Sequence, residues 1–217
     1  MSESQQPIAN AQRLPGHIKN IIFDLGGVIM NIDFKLTEAA FNKLGFANYR
    51  EFMTQFHITP LFEDYETGKI DDATFIKGVR QLSGLKITEE DVIEAWNALL
   101  QDFPPERLQL LESLKQQYRL FLLSNTNALH YAAFRDRLHA QTGKLLEDYF
   151  EKTYYSHTAQ MRKPNADIYQ LVLDENGLSA EETLFIDDTA SNFSGAESLG
   201  IKTLHLKPPM QITELAW

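Results

Sequence analysis

The chain contains no cysteine, which removes disulfides and thiolate metal sites and excludes a disulfide-stapled secreted scaffold. It also lacks an excess of basic residues. Twenty Lys and Arg against thirty Asp and Glu leave a net charge of -10, the wrong sign for gripping a nucleic-acid backbone, although one local cluster could hold a small anion. No apolar run is long enough to span a bilayer, and the opening MSESQQPIANAQRLPGH has no apolar core of signal-peptide length. The expectation is a cytoplasmic protein with a polar tail over residues 1–17 and no nucleic-acid or membrane partner; no oligomeric state is read from the pattern. None of the six histidines shows a metal-ligand spacing such as His-x-x-x-His, and none is given a role. What is present is ordinary for a globular domain. Over 217 residues, 43% are hydrophobic and 23% charged, enough for one core of usual size with a smaller module attached.

Three short apolar runs read as strands buried on both faces: IIFDL at 21–25, LFLLSN at 120–125 and TLFIDD at 183–188. Each ends in polar residues, and a further strand, KTLHL, follows at 202–206. Between them lie helical patterns over 105–118, over 165–176 closed by Gly177, and over 191–199 closed by Gly200. Strands alternating with helices predict a parallel sheet covered on both faces, with right-handed crossovers. Residues 35–103 differ, because KLTEAAFNKLGF, NYREFMTQFHI, DDATFIKGVRQLSG and TEEDVIEAWNALLQ all carry apolar residues at three- and four-residue spacing. An insert of that size is too large for a loop, and a small helical bundle over the end of the first strand is its natural form. Thr88 with Asp91 has the spacing of a capping box. The aromatic residues Phe52, Phe56, Phe62, Phe75 and Trp96 are expected in the bundle core rather than against substrate.

In open parallel sheets, ligands bind beyond the carboxyl ends of the strands. Asp24, Ser124 with Asn125, and Asp187 with Asp188 would therefore converge at one rim. Lys163, in QMRKPNADIY, precedes a helix marked by Pro164, so a loop can bring its ammonium to the same place. Taken singly, each has a plainer reading: Ser124 and Asn125 as helix caps, Lys163 as a surface lysine, Asp187 and Asp188 as a turn. Together those readings require four coincidences at one rim. A carboxylate can attack phosphorus and split a hard hydrolysis into two steps through an aspartyl-phosphate, and Asp24 is the candidate nucleophile. A cation such as Mg²⁺ would bridge the two anions that must meet there. Lys163 offers a point charge to the phosphate and to Asp24, and Ser124 and the Asn125 amide offer hydrogen bonds. Asn192 is expected to serve the helix start, with a lesser part in supporting the aspartate pair.

FDLGGV, LLSNT, RKPNADIY and FIDDTASN resemble, in order and spacing, the four motifs of the haloacid dehalogenase-like hydrolase superfamily. The insert stands where that family's first type of helical cap stands, and the DLGxV, LSNTN and MRKP stretches are most similar to the bacterial sugar-phosphatase branch, including alpha-glucose-1-phosphatase-like members. The resemblance implies an α/β fold, a Rossmann-like doubly wound parallel sheet core over 18–34 and 104–217 with a helical-bundle cap over 35–103. It implies a Mg²⁺-dependent phosphomonoesterase acting on a small phosphorylated metabolite, with sugar phosphates among the candidates. Asp24 and Lys163 are then catalytic, and Ser124, Asn125, Lys163 and Gly27 bind the phosphoryl group. Asp24, Asp188 and the carbonyl of Gly26 ligate the metal, with Asp187 as an outer partner. YETGKIDD at 65–72 becomes a cap turn near the cleft.

The chain departs from the family pattern at one position. The family's phosphatases usually carry a second aspartate two residues after the nucleophile, as general acid and then base, and here that residue is Gly26. General acid-base help is worth about 10²- to 10⁴-fold, so its loss slows the chemistry without removing nucleophile, metal or charge. Two rival readings follow. A dehalogenase also lacks that aspartate but needs no Mg²⁺, so a facing Asp-Asp pair would be costly crowding. A non-catalytic or weakly active member would bind a phosphometabolite or a protein, but its mark would be loss of the nucleophile or of the acidic pair, and both are kept.

Overall fold

The computed structural model describes residues 16–46, 49 and 60–217. The expected tail and most of the stretch NYREFMTQFHI, with Phe52 and Phe56, lie outside these residues.

Five strands form one parallel sheet in the order β3-β2-β1-β4-β5: β1 Asn20–Phe23, β2 Arg119–Ser124, β3 Lys152–Tyr155, β4 Thr183–Asp187 and β5 Lys202–His205. The side-chain period of two decides which layer each residue joins. Ile21, Phe23, Leu120, Leu122, Leu184 and Ile186 pack into one hydrophobic cluster. Ile22, Phe121, Leu123 and Phe185 point the other way, into a second. A strand buried on both faces has no polar side to show, which is why these runs are continuously apolar. Chain direction reverses its walk across the sheet at β1 and β4, so the switch point lies beside Phe23 and Asp187.

Between β1 and β2 the chain forms α1 Phe34–Lys43, α2 Pro60–Glu66, α3 Asp72–Ser83, α4 Glu89–Asn97 and α5 Pro105–Leu114. The first four share a third cluster around Phe41, Tyr65, Phe75, Val79, Val92 and Trp96. Both halves of the Thr88–Asp91 capping box are formed. Further on come α6 Ala128–Thr142, α7 Ala166–Asn176 and α8 Phe193–Ser198. The expected helices over 105–118 and 191–199 are therefore shorter, the second being preceded by a 3₁₀ turn at Ala190–Asn192. Among the described elements not read from the sequence are the edge strand β3 and the seven-residue α2.

The helices before β2 are joined to the sheet layer by specific bonds. Tyr65 Oη accepts from Leu129 N at 3.1 Å, and Ser156 Oγ donates to Glu66 O at 2.7 Å. Trp96 Nε1 donates to Asn127 Oδ1 at 3.3 Å, while His130 Nε2 meets Trp96 O at 3.0 Å. Gly68 lies so near His157 that a Cβ there would fall 2.0 Å from the His157 carbonyl oxygen. YETGKIDD is thus a turn seated against the sheet layer.

Candidate active site

Asp24 is the first residue beyond β1, and its N–H still donates to Ile186 O at 2.9 Å, so the strand ladder fixes where the carboxylate begins. Ser124 ends β2 and Asp187 ends β4. Lys163 arrives from the loop before α7. Its ammonium is 2.6 Å from Asp24 Oδ1 and 2.8 Å from Asp187 Oδ2, with only 1% of the residue exposed. The ring of Phe185 lies beneath it, 5.3 Å away. The plain reading of Lys163 as a surface lysine is thereby excluded.

Burial raises the Asp24 carboxyl above its usual range, and Asp187 and Asp188 push the same way against the pull of Lys163. Burial also opposes the Lys163 charge, but Asp24 and Asp187 outweigh it and hold the ammonium above its ordinary value. Oxygens of Asp24, Asp187 and Asp188 all lie within 4.8 Å of one another. One ammonium cannot neutralise three carboxylates, and an all-oxygen set of this kind suits a hard divalent cation such as Mg²⁺. Gly27 makes the crowding possible: at φ +73° it occupies the left-handed region, and a Cβ there would sit 2.4 Å from Asp188 Oδ2.

The aspartates are held differently. Asp187 is fully buried and accepts from Lys163, from Asn192 Nδ2 at 2.9 Å and from Thr189 N at 2.8 Å. Asp188 is half-buried and accepts from Thr189 Oγ1 at 3.0 Å. Asp188 is thus the carboxylate with capacity for a metal, whereas Asp187 is occupied by protein donors. His205 Nε2 donates to the Asp188 carbonyl at 2.9 Å.

Several expectations change. Asn125 has a further use: Nδ2 donates to Lys163 O at 3.0 Å and Oδ1 accepts from Lys163 N at 2.9 Å. It clamps the backbone of the lysine. Gly27 N donates to Met30 O at 2.8 Å, so that N–H is spent on the turn and Gly27 serves by close approach alone. Asn192 makes no side-chain cap and instead supports Asp187. The cap of α6 is Asn127, whose side chain accepts from His130 N.

Behind Gly26, Ser124 and Asn125 a cavity of about 360 Å³ opens between the sheet and the insert. Ile32, Phe62, Trp96 and Phe134 line it, with Glu66 and Thr37. Phe75 is bundle core as expected, but Phe62 and Trp96 face the cavity as well as the core. His130, given no role from the sequence, lines the cavity too and stacks on Trp96 with ring centroids 5.2 Å apart. Helical periodicity marks a core-facing stripe and cannot separate the part of it that borders a cavity. Glu66 pairs with Arg162 at 2.8 Å, close enough for charge, though not aligned as a hydrogen bond; burial raises its carboxyl, with Arg162 and Lys163 opposing. Among the described residues, no helix is long and apolar enough to cross a membrane.

The model of the haloacid dehalogenase-like hydrolases matches residues 18–200. A D-ribitol-5-phosphate phosphatase of Bacteroides thetaiotaomicron is 34% identical over 86% of this chain and 90% of its own length. A sesquiterpene phosphatase of Aspergillus oryzae is 28% identical over 87% of this chain and 89% of its own. A HAD family enzyme of Bacteroides thetaiotaomicron, solved in complex with magnesium and inorganic phosphate, superposes with a TM-score of 0.81 at 38% identity, covering 88% of this chain and 96% of that one. The motifs, the sheet order and these likenesses agree: the chain belongs to the haloacid dehalogenase-like hydrolase family.

Proposed function

We propose that the protein is a Mg²⁺-dependent phosphomonoester hydrolase of a small phosphorylated metabolite, with Asp24 as the nucleophile. The observation that carries this is the buried set of Asp24, Lys163 and Asp187 with Asp188 beside it, at the switch point of a parallel sheet and next in sequence to the cavity-lining residues Leu25 and Gly26. Asp24 attacks phosphorus as the ester oxygen leaves with the alcohol; water then cleaves the aspartyl-phosphate and returns the carboxylate. Lys163 holds the attacking carboxylate and sets a positive charge beside the incoming phosphoryl group, and Asn125 fixes the backbone from which Lys163 reaches. Ser124, buried at the end of β2 and bordering the cavity, offers its hydroxyl to a phosphoryl oxygen. Asp24, Asp188 and the Gly26 carbonyl would hold Mg²⁺, which when bound neutralises charge between nucleophile and phosphate.

The same reading makes residues 35–103 a cap over the site, and relatives that act on ribitol 5-phosphate and on a sesquiterpene phosphate support phosphate esters as the class. A dehalogenase has no use for three converging carboxylates, and the retained Asp24 and Lys163 speak against a purely binding protein. Phosphate release from phenyl phosphate is expected with Mg²⁺ and absent with a chelator. Undiminished release in chelator would overturn the metal assignment.

Gly26 shapes the rate. A Cβ at its position would press on the flexible end of Ile32, 3.0 Å from Cδ1. Hydrocarbon stands where a proton donor would be, so turnover depends on how readily the alcohol leaves. Among phenyl phosphates bearing different ring substituents, kcat is expected to rise as the phenol pKa falls; a flat response with chemistry rate-limiting would mean that another group supplies the proton.

A further inference from the structure

The phosphatase reading leaves the alcohol half of the ester open, and the cavity behind Gly26 constrains it. Ile32, Phe62, Trp96, Leu99, Leu100 and Phe134 make its apolar walls. Polar residues do border it, but those nearest the aromatic wall are already satisfied by one another. Asn127 Oδ1 accepts from Trp96 Nε1 and from His130 N, its Nδ2 faces His130 Nδ1 at 3.0 Å, and His130 Nε2 is taken by Trp96 O. A hydroxyl pressed against these walls would give up its hydrogen bonds to water and find none in return. An acyclic polyol carries a hydroxyl on nearly every carbon and would suffer this repeatedly. Hydrocarbon would gain at each carbon it buries.

Elsewhere the lining includes Thr37, Glu38, Tyr49, Glu66 and Thr126. Thr37 is 1% exposed with its Oγ1 closed off from the space, and Glu66 is already paired in charge with Arg162.

We propose that the physiological substrate is the phosphate monoester of a largely apolar alcohol with an aromatic or branched-hydrocarbon body. The inference rests on the phosphatase reading, and the reaction balances as ester plus water to alcohol plus inorganic phosphate. It departs from the sugar phosphates expected on family resemblance.

The test compares primary-alcohol phosphates, so that leaving-group reactivity stays nearly constant. With Mg²⁺ present, kcat/KM is measured for benzyl, 3-phenylpropyl and geranyl phosphate against glycerol 3-phosphate and ribitol 5-phosphate. The apolar esters should lead by at least about tenfold, since each buried methylene is worth roughly threefold or more. Ile32→Asn should shrink that ratio, and because the ratio is internal to one preparation, partial unfolding of the variant does not imitate the effect. A lead for the polyol phosphates, or rates equal within threefold across the series, overturns the proposal. If no ester releases phosphate, the phosphatase reading itself falls. The pocket is then judged by calorimetry with 3-phenylpropylphosphonate against ribitol 5-phosphate, where tighter binding of the phosphonate upholds it and weaker or equal binding rejects it.

Discussion

At the rim of the sheet, Lys163 is buried between Asp24 and Asp187 at 2.6 and 2.8 Å, so charge is satisfied by charge. Across the cavity, Ile32, Phe62 and Trp96 meet the same space with hydrocarbon. The two sides respond differently to change. Removing one member of a buried charge set strands the others without partners, whereas trimming an apolar wall loses contact area in proportion to the atoms removed. A family can therefore alter the wall while keeping the rim, which keeps the reaction and changes the alcohol. The predictions below test that contrast, beginning with the rim.

The largest effect is expected for Asp24→Asn. An amide cannot serve as the anionic nucleophile, so kcat/KM for phenyl phosphate should fall by at least about 10⁴-fold, while Lys163 keeps Asp187 as a partner and the fold survives. Substantial remaining activity in a folded variant would remove Asp24 from its role. Lys163→Met comes next and should harm stability as well as rate. It leaves Asp24 and Asp187 facing each other in a buried site, at a cost of about 3–5 kcal/mol in urea unfolding of the metal-free protein.

Adjacent glycines sharpen the comparison inside the rim itself. Gly27→Ala places a methyl 2.4 Å from Asp188 Oδ2 at φ +73°, costing about 1–2 kcal/mol for the backbone alone. By displacing Asp188 it should weaken Mg²⁺ activation about 10- to 100-fold. Gly26→Ala has no left-handed backbone to strain, and its nearest obstacle is the flexible end of Ile32 at 3.0 Å; about 1 kcal/mol or less is expected. Magnesium titrations of phosphate release would separate the two, and equal effects would mean that Asp188 does not depend on Gly27.

The aspartates and Ser124 were legible because each sits where an apolar run stops, and Lys163 because a Lys-Pro loop before a helix can bring its ammonium to the same rim; such residues have few structural uses in common. Their bonding was less legible. That Asn125 clamps Lys163 across 38 residues of chain, and that Asn192 turns toward Asp187, depend on tertiary placement that no local pattern encodes. The strand β3 was missed because KTYY is short and lies at the sheet edge, opening on an exposed lysine. Helix α2, with seven residues, is too short to display a period. The cavity wall was the least legible part: Trp96 at 4% exposure looks in sequence like any core aromatic, and only the space beside it reveals a second use.

The smallest effect tests how that wall is held. His130 is packed on Trp96 and bonded at both ring nitrogens, to Trp96 O and to the Asn127 amide. Burial pushes its imidazole down to about 4, with the Trp96 carbonyl pulling weakly the other way. In the unfolded chain it titrates near its ordinary value of about 6.5. Above that pH the ring is neutral in both states and stability is indifferent to it. As pH falls from about 6.5 toward 4 the unfolded chain gains a proton that the fold refuses, so the contribution of His130 to stability is lost. The loss is about 1 kcal/mol per pH unit. His157, also lowered by burial, acts in the same direction; Glu66, raised by burial, acts in the opposite one, so the total slope is a mixture. The difference between the wild type and His130→Gln isolates the one group. Urea unfolding at pH 5, 6 and 7 should show the variant less sensitive to acid than the wild type over that window. Parallel curves would mean that His130 titrates alike in both states and that the Trp96 wall is not held by a neutral imidazole.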